Sequence, residues 1–224
     1  MTLSLVIFDM DGTLIDSGDL IVDAMRTAFL GEGLDSPSDR AIRRIVGLEL
    51  YEAVRVLDPS LAETLNRRVG DAYKAAFVAA RSAGGGEASA PMYPGARAAI
   101  ERLAATDTLL GVATGKARRG LDHTLESHGL RRFFQTTQTC TENPGKPHPG
   151  MIESALRDTG AEAARTVMVG DTTFDMQMAR NAGAAALGVA WGYHEAEELL
   201  EAGATRVLGG FDELDQALGE LLAR

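Results

Sequence analysis

The sequence predicts an α/β protein, a doubly wound parallel sheet interrupted by an all-helical insertion. Three observations carry this reading. The chain opens on a short, nearly continuous apolar run, Leu3 to Phe8, that stops at Asp9, as expected of a parallel strand buried on both faces. Residues 16–91 show helical periodicity and no run that reads as a strand. From residue 92 onward strand-like and helix-like segments alternate, which implies right-handed βαβ crossovers and a sheet covered by helices.

The elements follow in order. Asp11-Gly12 supplies turn chemistry after the first strand. In the insertion, Leu20, Ala24, Ala28 and Phe29 form one apolar face, and Ile42, Ile45, Val46 and Leu50 a second. Leu65, Val69, Tyr73 and Phe77 form a third, at four-residue spacing. Ala83-Gly84-Gly85-Gly86 reads as a flexible loop by composition, and Pro91-Met92-Tyr93-Pro94-Gly95 punctuates the return. Strands are predicted at 109–113, 134–137, 166–169, 185–190 and 205–208. Helices are predicted at 117–128, 150–158, 174–181, 195–202 and 212–222. Residues 1–15 and 92–224 thus build a Rossmann-like core, and residues 16–91 a helical cap. The cap leaves directly after the first strand, so it sits over the carboxyl ends of the strands, where open α/β sheets bind ligands.

A length of 224 residues accommodates one to two domains. With 32 acidic and 22 basic residues the net charge is −10, which disfavours nucleic acid and anionic membrane as partners. The single cysteine, Cys140, allows no disulfide within the chain and reads as a small half-buried residue. The first apolar run is too short for a leader or a membrane span. A cytoplasmic protein, monomer or homodimer, is expected.

The polar clusters follow predicted strands. They are Asp9-Met10-Asp11-Gly12-Thr13, Thr114-Gly115-Lys116, Lys146-Pro147 and Gly170-Asp171-Thr172-Thr173-Phe174-Asp175. In a parallel sheet these loops meet along one edge, which gathers four carboxylates in one crevice. Their repulsion calls for a hard divalent cation with oxygen ligands, and Mg²⁺ suits. His123, His128, His148 and His194 show no ligand spacing, so zinc is disfavoured. His123 and His128 read as solvated helix positions, and His148 as a packing or capping residue.

Taken in this order, the four clusters resemble the motifs of the haloacid dehalogenase-like superfamily. A helical insertion after the first motif resembles the branch of phosphoglycolate phosphatases, β-phosphoglucomutases and a pyrophosphatase. The resemblance implies a phosphatase with Asp9 as nucleophile and Asp11 as general acid and base. It places Thr114, Gly115, Lys146 and Lys116 around the phosphoryl group. It puts Asp9, the backbone carbonyl of Asp11, Asp171 and Asp175 at the Mg²⁺, Asp175 acting through water or by orienting Lys146. Asp16 reads as a hinge or capping residue.

A dehalogenase is disfavoured, because that branch lacks the second aspartate that Asp11 supplies here. A phosphomutase is disfavoured by Leu50, which stands where the mutases carry an arginine. Loss of catalysis, leaving a phosphate-binding regulatory protein, is disfavoured because Asp9, Asp11, Lys146 and Asp171 are all present. The expected substrate is a small phosphorylated metabolite, with 2-phosphoglycolate first and pyrophosphate or a sugar phosphate behind it. Arg43, Arg44 or Lys116 is expected to meet its carboxylate, with Arg118 and Arg119 also near the cap.

Overall fold

The computed structural model describes residues 3–83 and 90–222. The predicted glycine loop at 84–86 lies outside the described residues. Strand β1 (Leu5–Phe8) is followed by four helices, α1 (Gly18–Gly31), α2 (Asp39–Arg44), α3 (Leu50–Leu57) and α4 (Glu63–Ala83). The chain then runs α5 (Ala96–Ala104), β2 (Leu109–Thr114), α6 (Arg118–Ser127), β3 (Thr136–Thr139) and α7 (Gly150–Thr159). It finishes with β4 (Thr166–Gly170), α8 (Thr173–Asn181), β5 (Ala185–Val189), α9 (Ala196–Ala202), β6 (Arg206–Leu208) and α10 (Leu214–Leu222).

The six strands form one sheet in the order β3-β2-β1-β4-β5-β6, with every pairing parallel. Winding reverses between β1 and β4, so the topological switch point lies where Asp9 and Asp171 leave their strands. Successive β1 side chains alternate faces. Val6 and Phe8 join a core with Ile100, Leu121 and Leu214 from α5, α6 and α10. Leu5 and Ile7 join one with Ile152, Met176 and Leu199 from α7, α8 and α9. Both faces are therefore dry, which explains the unbroken apolar run. Burying one such side chain contributes roughly 1.5–3 kcal/mol, so β1 is a rigid base for whatever follows it.

Helices α1–α4 share a separate core that includes Met25, Phe29, Ile42, Val54 and Val69. The α1 face is broader than the sequence reading: Ile21, Val22 and Met25 are buried, while Leu20 is only half-buried. Ser38 caps α2 by accepting from Ala41 N at 3.2 Å. Glu49 caps α3 by accepting from Tyr51 N at 2.9 Å and Glu52 N at 3.2 Å. The chain segments entering and leaving this helical unit run side by side, with Asp16 N donating to Pro91 O at 2.8 Å and Tyr93 N donating to Leu14 O at 3.0 Å.

Three readings are corrected. The strand expected at Phe134–Thr137 lies two residues later, at Thr136–Thr139, because Phe134 is taken by the core under α5 and α6. Helix α5 was not anticipated. His128 is buried, not solvated: it ends α6, and its carbonyl accepts from Arg97 at 2.6 Å. Other boundaries shift by one or two residues, within ordinary fraying. Among the described residues no helix is long and apolar enough to cross a membrane.

Candidate active site

Asp9 follows β1, and its backbone N–H still donates to Val169 O at 3.0 Å, so the sheet holds its main chain. Its side chain is 1 % exposed. Lys146 Nζ lies 2.9 Å from Asp9 Oδ1 and 2.6 Å from Asp175 Oδ1, and both Lys146 and Asp175 are buried. Asp175 Oδ2 accepts from Thr172 N at 3.1 Å and Thr172 Oγ1 at 2.7 Å. The Asp175 side chain therefore spans from the start of α8 to Lys146.

Asp171, following β4, is held on both oxygens. Thr13 Oγ1 donates to Oδ1 at 2.8 Å, and Tyr193 N donates to Oδ2 at 3.0 Å. Gly12, at φ 83°, lets the β1 loop pass this close: a Cβ there would stand 2.2 Å from Asp171 Oδ2. Trp191 Nε1 donates to Thr13 O at 3.1 Å and ties down the same turn.

Oxygens of Asp9, Asp171 and Asp175 all lie within 4.8 Å of one another. Burial pushes Asp9 up to about 7, against the opposing pull of Lys146 and with help from Asp175. Burial likewise raises Asp171, reinforced by Asp9 and Asp175. Burial alone would lower Lys146, but Asp175 and Asp9 outweigh it and hold the ammonium charged. One cation among three buried carboxylates leaves the cluster short of positive charge, and Asp9 Oδ2 is buried without a hydrogen-bond partner. An all-oxygen donor set with an unpartnered carboxylate oxygen fits a hard divalent cation.

The Asp11 side chain is held outside this cluster. Ser17 Oγ donates to its Oδ1, and Lys116 Nζ lies 2.8 Å from its Oδ2. Thr114 ends β2, is buried, and its Oγ1 accepts from Lys116 N at 3.3 Å. Cys140 Sγ donates to Gly115 O at 2.9 Å, and burial pushes its thiol up to about 11. It is a half-buried prop for the second motif, not a nucleophile.

The helical unit reaches the site through residues 46–50. A Cβ on Gly115 would stand 2.5 Å from Gly47 O and 2.9 Å from Leu48 O. Most of the cations expected to serve the substrate have other partners, whereas Arg119 lines the cavity above Asp9 and Asp11. Arg43 is 2.6 Å from Asp19. Arg44 makes two bonds, 3.0 and 2.8 Å, to Glu198 on α9. Arg118 turns to Glu142 and Thr137. His148 Nδ1 accepts from Gly150 N at 3.0 Å and so helps start α7, while His123 is exposed.

Sequence reasoning missed Tyr193, and it gave no contact to His194 or to Ser17, which closes the first motif. His194 Nδ1 accepts from Thr173 N at 3.2 Å, and its Nε2 meets Arg44 O at 3.0 Å. Tyr193 and His194 follow β5, so the rule that found the other clusters, polar residues after a strand, would have found them.

The profile of the haloacid dehalogenase-like hydrolases matches residues 6–189. The chain belongs to that family. It is 36% identical to the "Probable phosphatase IndB" of Dickeya dadantii, over 97% of this chain and 94% of that protein. It is 32% identical to the phosphoglycolate phosphatase of Rhodospirillum rubrum, over 96% and 90% of the two chains. The crystal structure of a predicted phosphatase from Clostridium acetobutylicum superposes with a TM-score of 0.87 at 24% identity, covering 99% of this chain and all of that one. This haloacid dehalogenase-like hydrolase is a phosphatase, and its acidic cluster fits a divalent metal.

Proposed function

We propose that the protein is a Mg²⁺-dependent phosphatase for a small phosphate monoester, working through an aspartyl-phosphate on Asp9. The observation that supports it most is the cluster itself: an unpartnered, fully buried Asp9 oxygen beside Lys146, at the switch point of the sheet. Asp9, Asp171, Asp175 and the backbone carbonyl of Asp11 would hold the ion. When bound it neutralises the repulsion between carboxylate and phosphoryl oxygens.

In the first half-reaction an Asp9 oxygen attacks phosphorus. The ester P–O bond breaks as the Asp9 O–P bond forms, and Asp11 gives its proton to the departing oxygen. In the second, water attacks phosphorus, Asp11 takes the water proton, and the Asp9 O–P bond breaks to release phosphate. Lys146, Thr114 and the Gly115 N–H hold the phosphoryl oxygens throughout. Lys116 aims Asp11 at the leaving oxygen, and as the phosphoryl group enters and draws the Lys116 ammonium to its own oxygens, Asp11 takes from solvent the proton it then passes on. The helical unit over the site excludes water.

2-Phosphoglycolate heads the panel to be measured, because the Rhodospirillum rubrum relative is named for it. Pyrophosphate and sugar phosphates follow. The test is phosphate release from this panel with Mg²⁺ and again with excess chelator. Turnover of at least one monoester that chelator abolishes is expected. Full activity in chelator, or hydrolysis of diesters alone, contradicts the proposal.

A further inference from the structure

Between the helical unit and the strand ends lies a cavity of about 490 Å³. Its floor is Asp9, Asp11, Thr114 and Gly115. Its opposite wall is apolar and includes Met25, Val46, Leu50, Tyr73, Phe77 and Val78. A phosphoryl group on the floor occupies a small part of this space, and most of the remainder faces carbon, with Lys74, Arg81 and Arg119 at its edges. Pockets of this size and lining bury ring-sized apolar ligands.

Two of the cations that would favour a short polar leaving group are spent elsewhere, while Arg81 and Arg119 stay in the cavity lining. Arg43 is paired with Asp19 and Arg44 with Glu198. Lys116 is held by Asp11 and stacks over the Phe77 ring at 5.2 Å. Tyr73 and Phe77 are tilted against each other at 5.8 Å, a wall suited to the edge or face of another ring.

Resting on the phosphatase reading above, we infer that the preferred leaving group is an apolar, ring-sized alcohol, packed against Tyr73, Phe77 and Val78, and not a short carboxylate or a sugar. The preference comes from area: about 25 cal/mol per Å² buried makes roughly 55 Å² worth one factor of ten in kcat/KM.

The experiment is kcat/KM with Mg²⁺ for methyl, butyl, cyclohexylmethyl and benzyl phosphate, beside 2-phosphoglycolate and glucose 6-phosphate. All four test esters release simple alcohols, so the chemistry of departure changes little along the series. A rise of at least about tenfold from methyl to benzyl, with benzyl above 2-phosphoglycolate and glucose 6-phosphate, is expected. Val78→Glu puts a charge on the wall at a position 46% exposed, where folding tolerates it. It should cut the benzyl-to-methyl ratio at least about fivefold, with the circular dichroism spectrum unchanged. A flat series, a ratio untouched by Val78→Glu, or a clear lead for 2-phosphoglycolate or glucose 6-phosphate overturns the inference and leaves the phosphatase standing. No hydrolysis of any ester overturns both.

Discussion

Lys116 Nζ lies 2.8 Å from Asp11 Oδ2 and 5.2 Å from the centre of the Phe77 ring. One side chain thus joins the proposed general acid to α4 of the helical unit. Both partners of the ion pair have side chains only 12% exposed, so the contact is better protected than a surface pair. Lys116→Met keeps the stem and removes the charge. For an alkyl phosphate, kcat should fall about 10- to 100-fold, because an unaimed acid protonates the leaving oxygen poorly. For p-nitrophenyl phosphate, which leaves without help, the fall should be several times smaller. Equal losses on the two esters would reduce Lys116 to a structural contact.

Lys146 is the cation inside a buried acidic cluster. Lys146→Met leaves Asp9 and Asp175 without their partner. Breaking a buried pair by removing one member costs roughly 3–5 kcal/mol, so urea unfolding in chelator should show a loss of that order. Added Mg²⁺ should restore part of it, since an ion bound only to the folded state stabilises by mass action. Unchanged stability in chelator would mean that the carboxylates are not held charged against one another.

The pH dependence has a definite sign. Burial raises Asp9 from 3.8 to about 7 in the folded, metal-free chain. The folded state therefore holds that proton more tightly than the unfolded state. The resulting stability is fully present below about pH 3.8 and is lost as pH rises through about 7. Asp9→Asn removes the titration, so the stability of wild type minus that of Asp9→Asn should decline between pH 5 and pH 8 in chelator. Mg²⁺ competes with the same protons, and calorimetry should find its affinity rising over that range. An affinity independent of pH would place the ion elsewhere.

Gly115 touches the helical unit so closely that a methyl group cannot be added without moving Gly47 and Leu48. Gly115→Ala should hold the two parts slightly apart. A drop of about tenfold or more in kcat/KM is expected, with a loss of roughly 1–3 kcal/mol in stability, the usual cost of forcing atoms into a packed contact. Wild-type kinetics in Gly115→Ala would show that this closed approach is not needed for turnover.

The sheet was legible because β1, β4 and β5 are buried on both faces and say so in unbroken apolar runs. The site was legible because polar residues end the runs of β1, β2 and β4 abruptly at Asp9, Thr114 and Asp171. β3 was misplaced because Thr136–Thr139 is a polar edge strand with no apolar residue; its side chains bond to α7 through Asp158. Helix α5 is short and alanine-rich, and although it buries Ala96, Ala99, Ile100 and Leu103 at helical spacing, its small side chains make only a weak apolar signal. The partners of Arg43 and Arg44 were invisible because Asp19 and Glu198 lie 24 and 154 residues away in the chain. Pairing at such distance is set by the fold, not by local pattern.

The central claim is that Asp9 carries the phosphoryl group. The most direct measurement is mass spectrometry of the enzyme quenched in acid during turnover of the best ester, with and without hydroxylamine before digestion. A phosphoryl adduct on the peptide spanning Asp9, removed by hydroxylamine and missing in Asp9→Asn, is expected. An adduct on another residue, or an Asp9→Asn enzyme that keeps more than about 1% of wild-type turnover, would contradict it.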